Sequence, residues 1–213
     1  MKTLTKDMQD KITPAMALQL LKEGNQRFIN NLKINRNLLQ QANETSDGQH
    51  PFAVTLSCID SRTSVELIFD QGLGDVFSVR IAGNILNEDI LGSMEFGCKV
   101  AGSKIIVVLG HTNCGAVKGA CDHVKMGNLT GLLDKIQPAI DAEKSEKNDR
   151  SSKNDAFVKK VTDINVRQTA QGIIEKSPIL REMLEKGEIG IVGATHNILT
   201  GEVHFDEDCL YLK

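Results

Sequence analysis

Two short segments carry side chains whose types and spacing suit chemistry. One is Cys58-Ile59-Asp60-Ser61-Arg62, and the other is His111-Thr112-Asn113-Cys114-Gly115. Each follows an apolar run, Phe52 to Ser57 (FAVTLS) and Ile105 to Gly110 (IIVVLG). Runs of that length, rich in β-branched residues, predict buried strands. In open α/β sheets, sites form beyond the carboxyl ends of the strands. If these two strands are neighbours, Cys58, His111 and Cys114 converge there. Two thiolates and one imidazole are borderline-soft donors that suit Zn2+. Three protein ligands leave a fourth position open, the arrangement of a catalytic zinc. Pattern alone leaves two other readings standing: plain buried cysteines, and a thiol nucleophile at Cys58 or Cys114.

The polar neighbours fit the metal reading. Zn2+ with two thiolates and a neutral imidazole carries no net charge. Its bound water is therefore expected to be less acidic than one on a tris-imidazole zinc, whose pKa is ~7. Asp60, two residues from Cys58, can accept a hydrogen bond from such a water. Arg62 can hold the Asp60 carboxylate bidentately, keeping it ionised and opposing its ligation of the metal. The plainer reading of this pair is an ion pair that fastens a loop.

Positioning these residues falls to alternating strands and helices. Thr13-Pro14 reads as an N-cap followed by a first-turn proline. Ala17, Leu20, Leu21, Phe28, Ile29 and Leu32 then recur at helical spacing. Gly24 interrupts them, predicting one bent helix or two. Gln40 to His50 is polar and reads as loop. Ser64 to Phe69 reads as a short helix, Gly72 to Asp75 as a turn, and Val76 to Ile81 as a strand. Helices are expected over Ile90 to Val100 and Gly115 to Met126. Asp141 to Asp155 is a solvated charge run, loop or exposed helix end. Phe157, Val161 and Ile164 mark a helix to about Lys176, and Ser177-Pro178 starts another. Ile189 to Ala194 and Glu202 to Phe205 are late strands joined around Thr200-Gly201. The alternation implies an α/β fold with a mainly parallel central sheet and helices on both faces. One domain is expected over 1–213, with an N-terminal helical arm over 1–50 and the α/β core over 51–213.

Composition excludes several classes. The 213 residues include 25 Lys and Arg against 28 Asp and Glu, a net charge of −3, which argues against electrostatic binding of nucleic acid. The longest apolar runs, of about half a dozen residues, are too short for a transmembrane helix. The first residues lack the long apolar stretch of a secretory signal, so a cytoplasmic protein without a membrane partner is expected. The five cysteines are odd in number and widely spaced, which disfavours a disulfide framework. Cys98, Cys121 and Cys209 read as structural thiols.

A wider set of segments accompanies the two central ones. They are Glu23-Gly24-Asn25-Gln26-Arg27-Phe28, Gly74-Asp75-x-Phe77-x-Val79-Arg80 with Ala82-Gly83-Asn84, and Ser93-Met94-Glu95-Phe96. Val107 to Gly110 runs into His111-x-x-Cys114-Gly115, and Gly193 precedes Thr200-Gly201-x-Val203. Together with Cys58-x-Asp60-Ser61-Arg62 they make most of the chain resemble the β-class carbonic anhydrases. The resemblance implies one Zn2+ per subunit held by Cys58, His111 and Cys114, beside a catalytic Asp60–Arg62 dyad. It implies reversible hydration of CO2 to bicarbonate and a proton, with zinc-bound hydroxide as nucleophile. It also implies a homodimer, or a dimer of dimers, whose pockets draw residues from both subunits. Gln49, nine residues before Cys58, matches a glutamine that hydrogen-bonds substrate. Phe77, Ala82 and Phe96 match apolar pocket positions, and Gly115 matches a glycine whose N–H meets substrate.

A second type in this family has a bicarbonate-regulated site with a Trp three residues before the zinc cysteine. Here Thr55 stands at that position and the chain has no Trp. The open, glutamine-containing type, active near neutral pH, is therefore expected. Arg80 matches the regulated site's arginine, but reads more simply as an ion-pairing residue. Phe96 replaces a common Tyr, Ile81 an Asn, Ala82 a Val and Ile59 a small residue, which bears on rate and inhibitor preference. His50, His123, His196 and His204 are possible proton shuttles, each more simply a surface or satisfied histidine. Rival readings are hydrolysis of CS2 or COS at the same zinc, and a non-enzymatic, zinc-stabilised dimer that binds bicarbonate.

Overall fold

A computed structural model describes residues 3–213. Five strands, β1 (Ala53–Ser57), β2 (Val76–Arg80), β3 (Ile105–His111), β4 (Gly190–His196) and β5 (Val203–Tyr211), form one sheet in the order β2-β1-β3-β4-β5. The first four run parallel, and β5 returns antiparallel to β4. Every residue of β1 and β3 is buried, as a parallel sheet covered on both faces requires.

The cover comes from ten helices among the described residues. They are α1 (Lys6–Asp10), α2 (Pro14–Ile29), α3 (Leu38–Glu44), α4 (Val65–Ile68), α5 (Glu88–Glu95), α6 (Gly115–Cys121), α7 (Gly127–Leu133), α8 (Gln137–Ala142), α9 (Asp155–Lys176) and α10 (Pro178–Glu185). Alternate strand residues sort to opposite faces. Val54, Leu56, Ile106, Val108 and Ile191 pack with Met94, Val166, Ile173 and Leu180 from α5, α9 and α10. Ala53, Ile105, Val107, Leu109 and Val192 pack with Ala17, Leu21, Val65 and Ile68 from α2 and α4. A third cluster gathers Cys58, Ile85, Cys114, Val117, Ile136, Phe157 and Val161. The expected α/β architecture is therefore the one observed. No described helix is long and apolar enough to cross a membrane.

Several local expectations need correction. Gly24 does not break α2. A Cβ at that position would lie 1.8 Å from the Phe69 carbonyl oxygen, so the missing side chain lets α2 press against the end of α4. The neighbouring Asn25 amide then donates to the carbonyls of Ile68 and Gly201. The loop expected at Gln40 contains α3, begun by Asn37, whose side chain accepts from the Gln40 N–H. The helix expected over Ile90 to Val100 starts at Glu88 under the Asn87 cap, and its last turn, Phe96–Val100, widens to a π-helix. The helix after Gly115 stops at Cys121, and His123 follows at φ +53, outside helical backbone. The last strand runs to Tyr211, well past Phe205; its polar residues lie on a sheet edge, where water meets them.

The charge run 141–155 is not simply a solvated face. Glu143 is buried, and Arg150 donates to the carbonyls of Ile140 (2.6 Å), Glu143 (2.9 Å) and Glu146 (2.9 Å). The first two bonds satisfy carbonyls left open at the end of α8, and the third holds the loop that follows. The same guanidinium lies 4.7 Å from the Phe157 ring centroid. The run thus folds as a loop around one arginine.

Gly24→Ala tests the close approach of α2 and α4. A methyl group there forces the helices apart, with an expected loss of about 1–3 kcal/mol. A urea midpoint unchanged from wild type would show that the contact does not constrain the fold.

Candidate metal centre

β1 and β3 are adjacent and parallel, with Ser57 opposite Leu109. Cys58, one residue beyond β1, and His111, the last residue of β3, therefore emerge at the same end of the sheet. Two residues after His111 the chain turns, with Asn113 at φ +55, and Cys114 takes the N-cap position of α6. The result brings the three side chains together. All three are buried, and their ligand atoms lie within 4.8 Å of one another. The Cys58 and Cys114 sulfurs are 4.0 Å apart.

The imidazole is oriented by its other nitrogen. His111 Nδ1 lies 2.9 Å from the Thr112 carbonyl oxygen, which can only accept, so Nδ1 carries the proton and donates. The Nε2 lone pair is then free. Nε2 is buried and has no hydrogen-bond partner among the described residues. A buried acceptor left so costs about 1–3 kcal/mol. Facing two sulfurs, it completes a donor set that fits Zn2+.

The thiol pair has its own electrostatics. Its first proton leaves readily, because the remaining Cys114 S–H donates to the Cys58 thiolate. The Gly83 N–H, 3.4 Å from the Cys58 sulfur, favours the same thiolate. Loss of the second proton is opposed by that thiolate and by burial of Cys114. A divalent cation between the sulfurs would remove this repulsion.

Asp60 faces the cluster without joining it. Its Oδ2 lies 4.0 Å from His111 Nε2. Arg62 donates Nε to Oδ1 at 3.0 Å, Nη2 to Oδ2 at 2.8 Å, and its backbone N–H to Oδ1 at 3.0 Å. These bonds, led by those from the guanidinium, hold the carboxyl well below the usual carboxylate range. The loop itself is clamped from β2. Arg80 donates Nε to the Cys58 carbonyl at 3.0 Å and Nη2 to the Asp60 carbonyl at 2.7 Å. It meets two backbone carbonyls rather than a carboxylate, which replaces the ion-pair reading.

The other sequence candidates divide into two groups. Ala82 opens the 3-10 turn Ala82–Asn84, whose Gly83 reaches the Cys58 sulfur. Gly115 opens α6, with open space where a side chain would be. Both stand beside the cluster. Gln49, Phe77 and Phe96 do not, within one chain. Phe77 pairs with Val54, four positions before Cys58 and so roughly 13 Å away along the strand. Phe96 is half-exposed and meets Phe77 edge-on, with ring centroids 6.2 Å apart. Gln49 precedes β1 and lies beside Gly74, at the opposite end of the strand from Cys58.

His196 is neither a surface nor a satisfied histidine. It pairs with His111 in the β3–β4 register, and both its ring nitrogens are buried without a partner among the described residues. Burial, aided by the neighbouring His111, pushes its pKa down to about 4. Gly83 belongs to the Ala82-Gly83-Asn84 segment of the sequence pattern, which assigns it no role; its left-handed backbone, φ +68, lets its N–H meet the Cys58 sulfur.

A family model described as carbonic anhydrase matches residues 53–203. Carbonic anhydrase 2 of Mycobacterium tuberculosis is 34% identical over 200 residues, covering 88% of this chain and 90% of that protein. The chain belongs to the β-carbonic anhydrase family. The carbonic anhydrase of Mycolicibacterium smegmatis is 32% identical over 196 residues, covering 89% of this chain and 92% of its own. The β-carbonic anhydrase fold is shared with the Coccomyxa enzyme solved in complex with acetazolamide (TM-score 0.69, 23% identity, 88% and 85% of the two chains). It is also shared with a tetrameric β-carbonic anhydrase of Sordaria macrospora (TM-score 0.68, 23% identity, 78% and 85%).

In this β-carbonic anhydrase chain, Arg62→Gln removes the guanidinium that holds Asp60. The Asp60 carboxyl is expected to titrate closer to the ordinary value of about 3.9, as read by 13C NMR of the side-chain carbonyl. An unmoved titration would show that Arg62 does not set the charge of Asp60.

Proposed function

We propose that this carbonate dehydratase interconverts CO2 and bicarbonate at one Zn2+ per subunit, held by Cys58 Sγ, His111 Nε2 and Cys114 Sγ. The observation that carries this reading is the convergence of those three atoms within 4.8 Å, with the Nε2 lone pair free. When bound, the metal supplies Lewis-acid activation of water for attack on carbon.

The chain's own residues do the rest. Asp60, ionised and pinned by Arg62, accepts a hydrogen bond from the attacking water and turns its lone pair toward CO2. Arg62 also holds the carboxylate off the Cys58–His111–Cys114 cluster, so that Asp60 would not compete with water for a bound metal. The Gly115 N–H, among those that a helix leaves unpaired in its first turn, meets the oxygen on which negative charge develops. Ala82 gives CO2 an apolar wall. The balance is simple: water and CO2 yield bicarbonate and a proton.

Gln49, Phe77 and Phe96 serve a partner's pocket in this reading. Support comes from their distance from their own Cys58 and from β2, which is an edge strand with Phe96 exposed beside it. A second copy along that edge would complete two pockets at once, and a homodimer or dimer of dimers follows.

Cys58→Ser and Cys114→Ser are expected to lose bound zinc, measured by mass spectrometry of the metal. Asp60→Asn should keep zinc while stopped-flow CO2 hydration falls by about 10²–10⁴-fold; full activity in that variant would exclude the role given to Asp60. Sharing of pockets has a separate test. A mixed dimer of Cys58→Ser and Gln49→Ala chains holds one site with intact ligands from one subunit and an intact glutamine from the other. Mixing the two variants should therefore restore hydration above either alone. No gain on mixing would place Gln49 in its own subunit's pocket.

A further inference from the structure

Asn165 sits on α9 inside the core, only 4% exposed. An amide there is unfavourable unless its polar atoms find partners. Its Nδ2 donates to the Gly83 carbonyl oxygen at 2.9 Å. The N–H of the same glycine donates to the Cys58 sulfur at 3.4 Å. A single residue thus separates a side chain of α9 from a sulfur of the metal centre. Thr169, farther along α9, adds a bond from Oγ1 to the Asn84 carbonyl at 3.4 Å.

The turn between them needs holding. Gly83 and Asn84 both lie in left-handed backbone, at φ +68 and +41, where a residue with a Cβ is strained. Gly83 alone has the freedom to rotate its N–H away from sulfur without a clash. The Gly83 C=O and the Asn84 N–H belong to one peptide, held by Asn165 at its carbonyl and by the Ile81 carbonyl, at 2.9 Å, at its N–H. The glycine fits a confined space: a Cβ on it would lie 2.7 Å from Ile136 Cδ1 and 3.2 Å from Ala116 Cβ. With the following peptide held and little room around the glycine, the backbone torsions of Gly83 are limited to those that aim its N–H at Cys58. Hydrogen bonds to a ligand sulfur tune its electron donation and its placement.

We propose that Asn165 is a positioning residue for the metal centre: through Gly83 it orients the amide that hydrogen-bonds the Cys58 sulfur, and so sets that sulfur's strength as a ligand. This rests on the zinc reading above. The test compares wild type with Asn165→Ala and with Asn165→Ser, whose short polar side chain fits the site but does not reach Gly83. Zinc affinity is measured by competition with a chromophoric chelator, and Co2+-loaded protein by its thiolate charge-transfer absorption. Both variants should bind zinc about 10–100-fold more weakly. Their charge-transfer band should move to longer wavelength, because the sulfur loses a hydrogen bond. Ile173→Val, a core change on the same helix, is expected to lower the melting temperature and leave the band in place. If the Ala variant fails to fold, the Ser variant carries the comparison. Wild-type affinity and band position in a folded variant overturn the role of Asn165 alone. Absence of any thiolate band in Co2+-loaded wild type overturns the zinc reading, and this inference with it.

Discussion

The site depends on the register of two parallel strands. Ser57 of β1 lies opposite Leu109 of β3, so the residues just beyond them enter one space at the carboxyl end of the sheet. A slip of one residue would turn every β1 side chain to the other face. Val54 and Leu56 pack with one set of helices and Ala53 with the other, and these contacts forbid the slip. The core therefore sets the geometry of the chemistry. Gly110 shows how closely: a Cβ on it would lie 2.6 Å from Val166 Cγ2, so α9 presses on β3 one residue before His111.

Register alone does not make a site, because loops beyond strand ends are free to move. Here polar bonds take over where apolar packing stops. Arg80 grips the carbonyls on both sides of Ile59, and Arg62 grips Asp60 through three donors. The two arginines act on the same short loop from different directions. One fixes its backbone, and the other fixes the charge and direction of its carboxylate. The thiols need the opposite treatment, burial with few competing partners, and the cluster around Val117, Ile136 and Phe157 provides it.

The fold class and the centre of the site were legible because they rest on short-range signals. A β-branched run ended by Cys58 or His111 announces both a strand and what stands beyond it. Other parts were hidden for physical reasons. The capping side chain of Asn37 is a single residue, and the polar stretch from Gln40 shows no apolar spacing to mark the part of α3 it contains. β5 carries His204, Asp206, Glu207 and Asp208, which a sheet edge tolerates and a central strand would not. The loop around Arg150 is held by carbonyls, which have no signature in residue types. The same blindness covers Arg80, whose partners are backbone atoms brought close only by β1–β2 pairing. Gln49, Phe77 and Phe96 were legible as matches to a pattern, yet a single chain keeps them apart from Cys58.

The pairing of β3 with β4 sets His196 beside His111 and seals it from water. Its pKa in the fold, about 4, lies below the ordinary value of 6.5. Between those values the unfolded chain takes up a proton that the native chain refuses, so acid draws the molecule toward unfolding. The contribution is whole above pH 6.5 and shrinks as pH falls toward 4. A reaction that releases protons is thus housed in a scaffold with its own sensitivity to acidification.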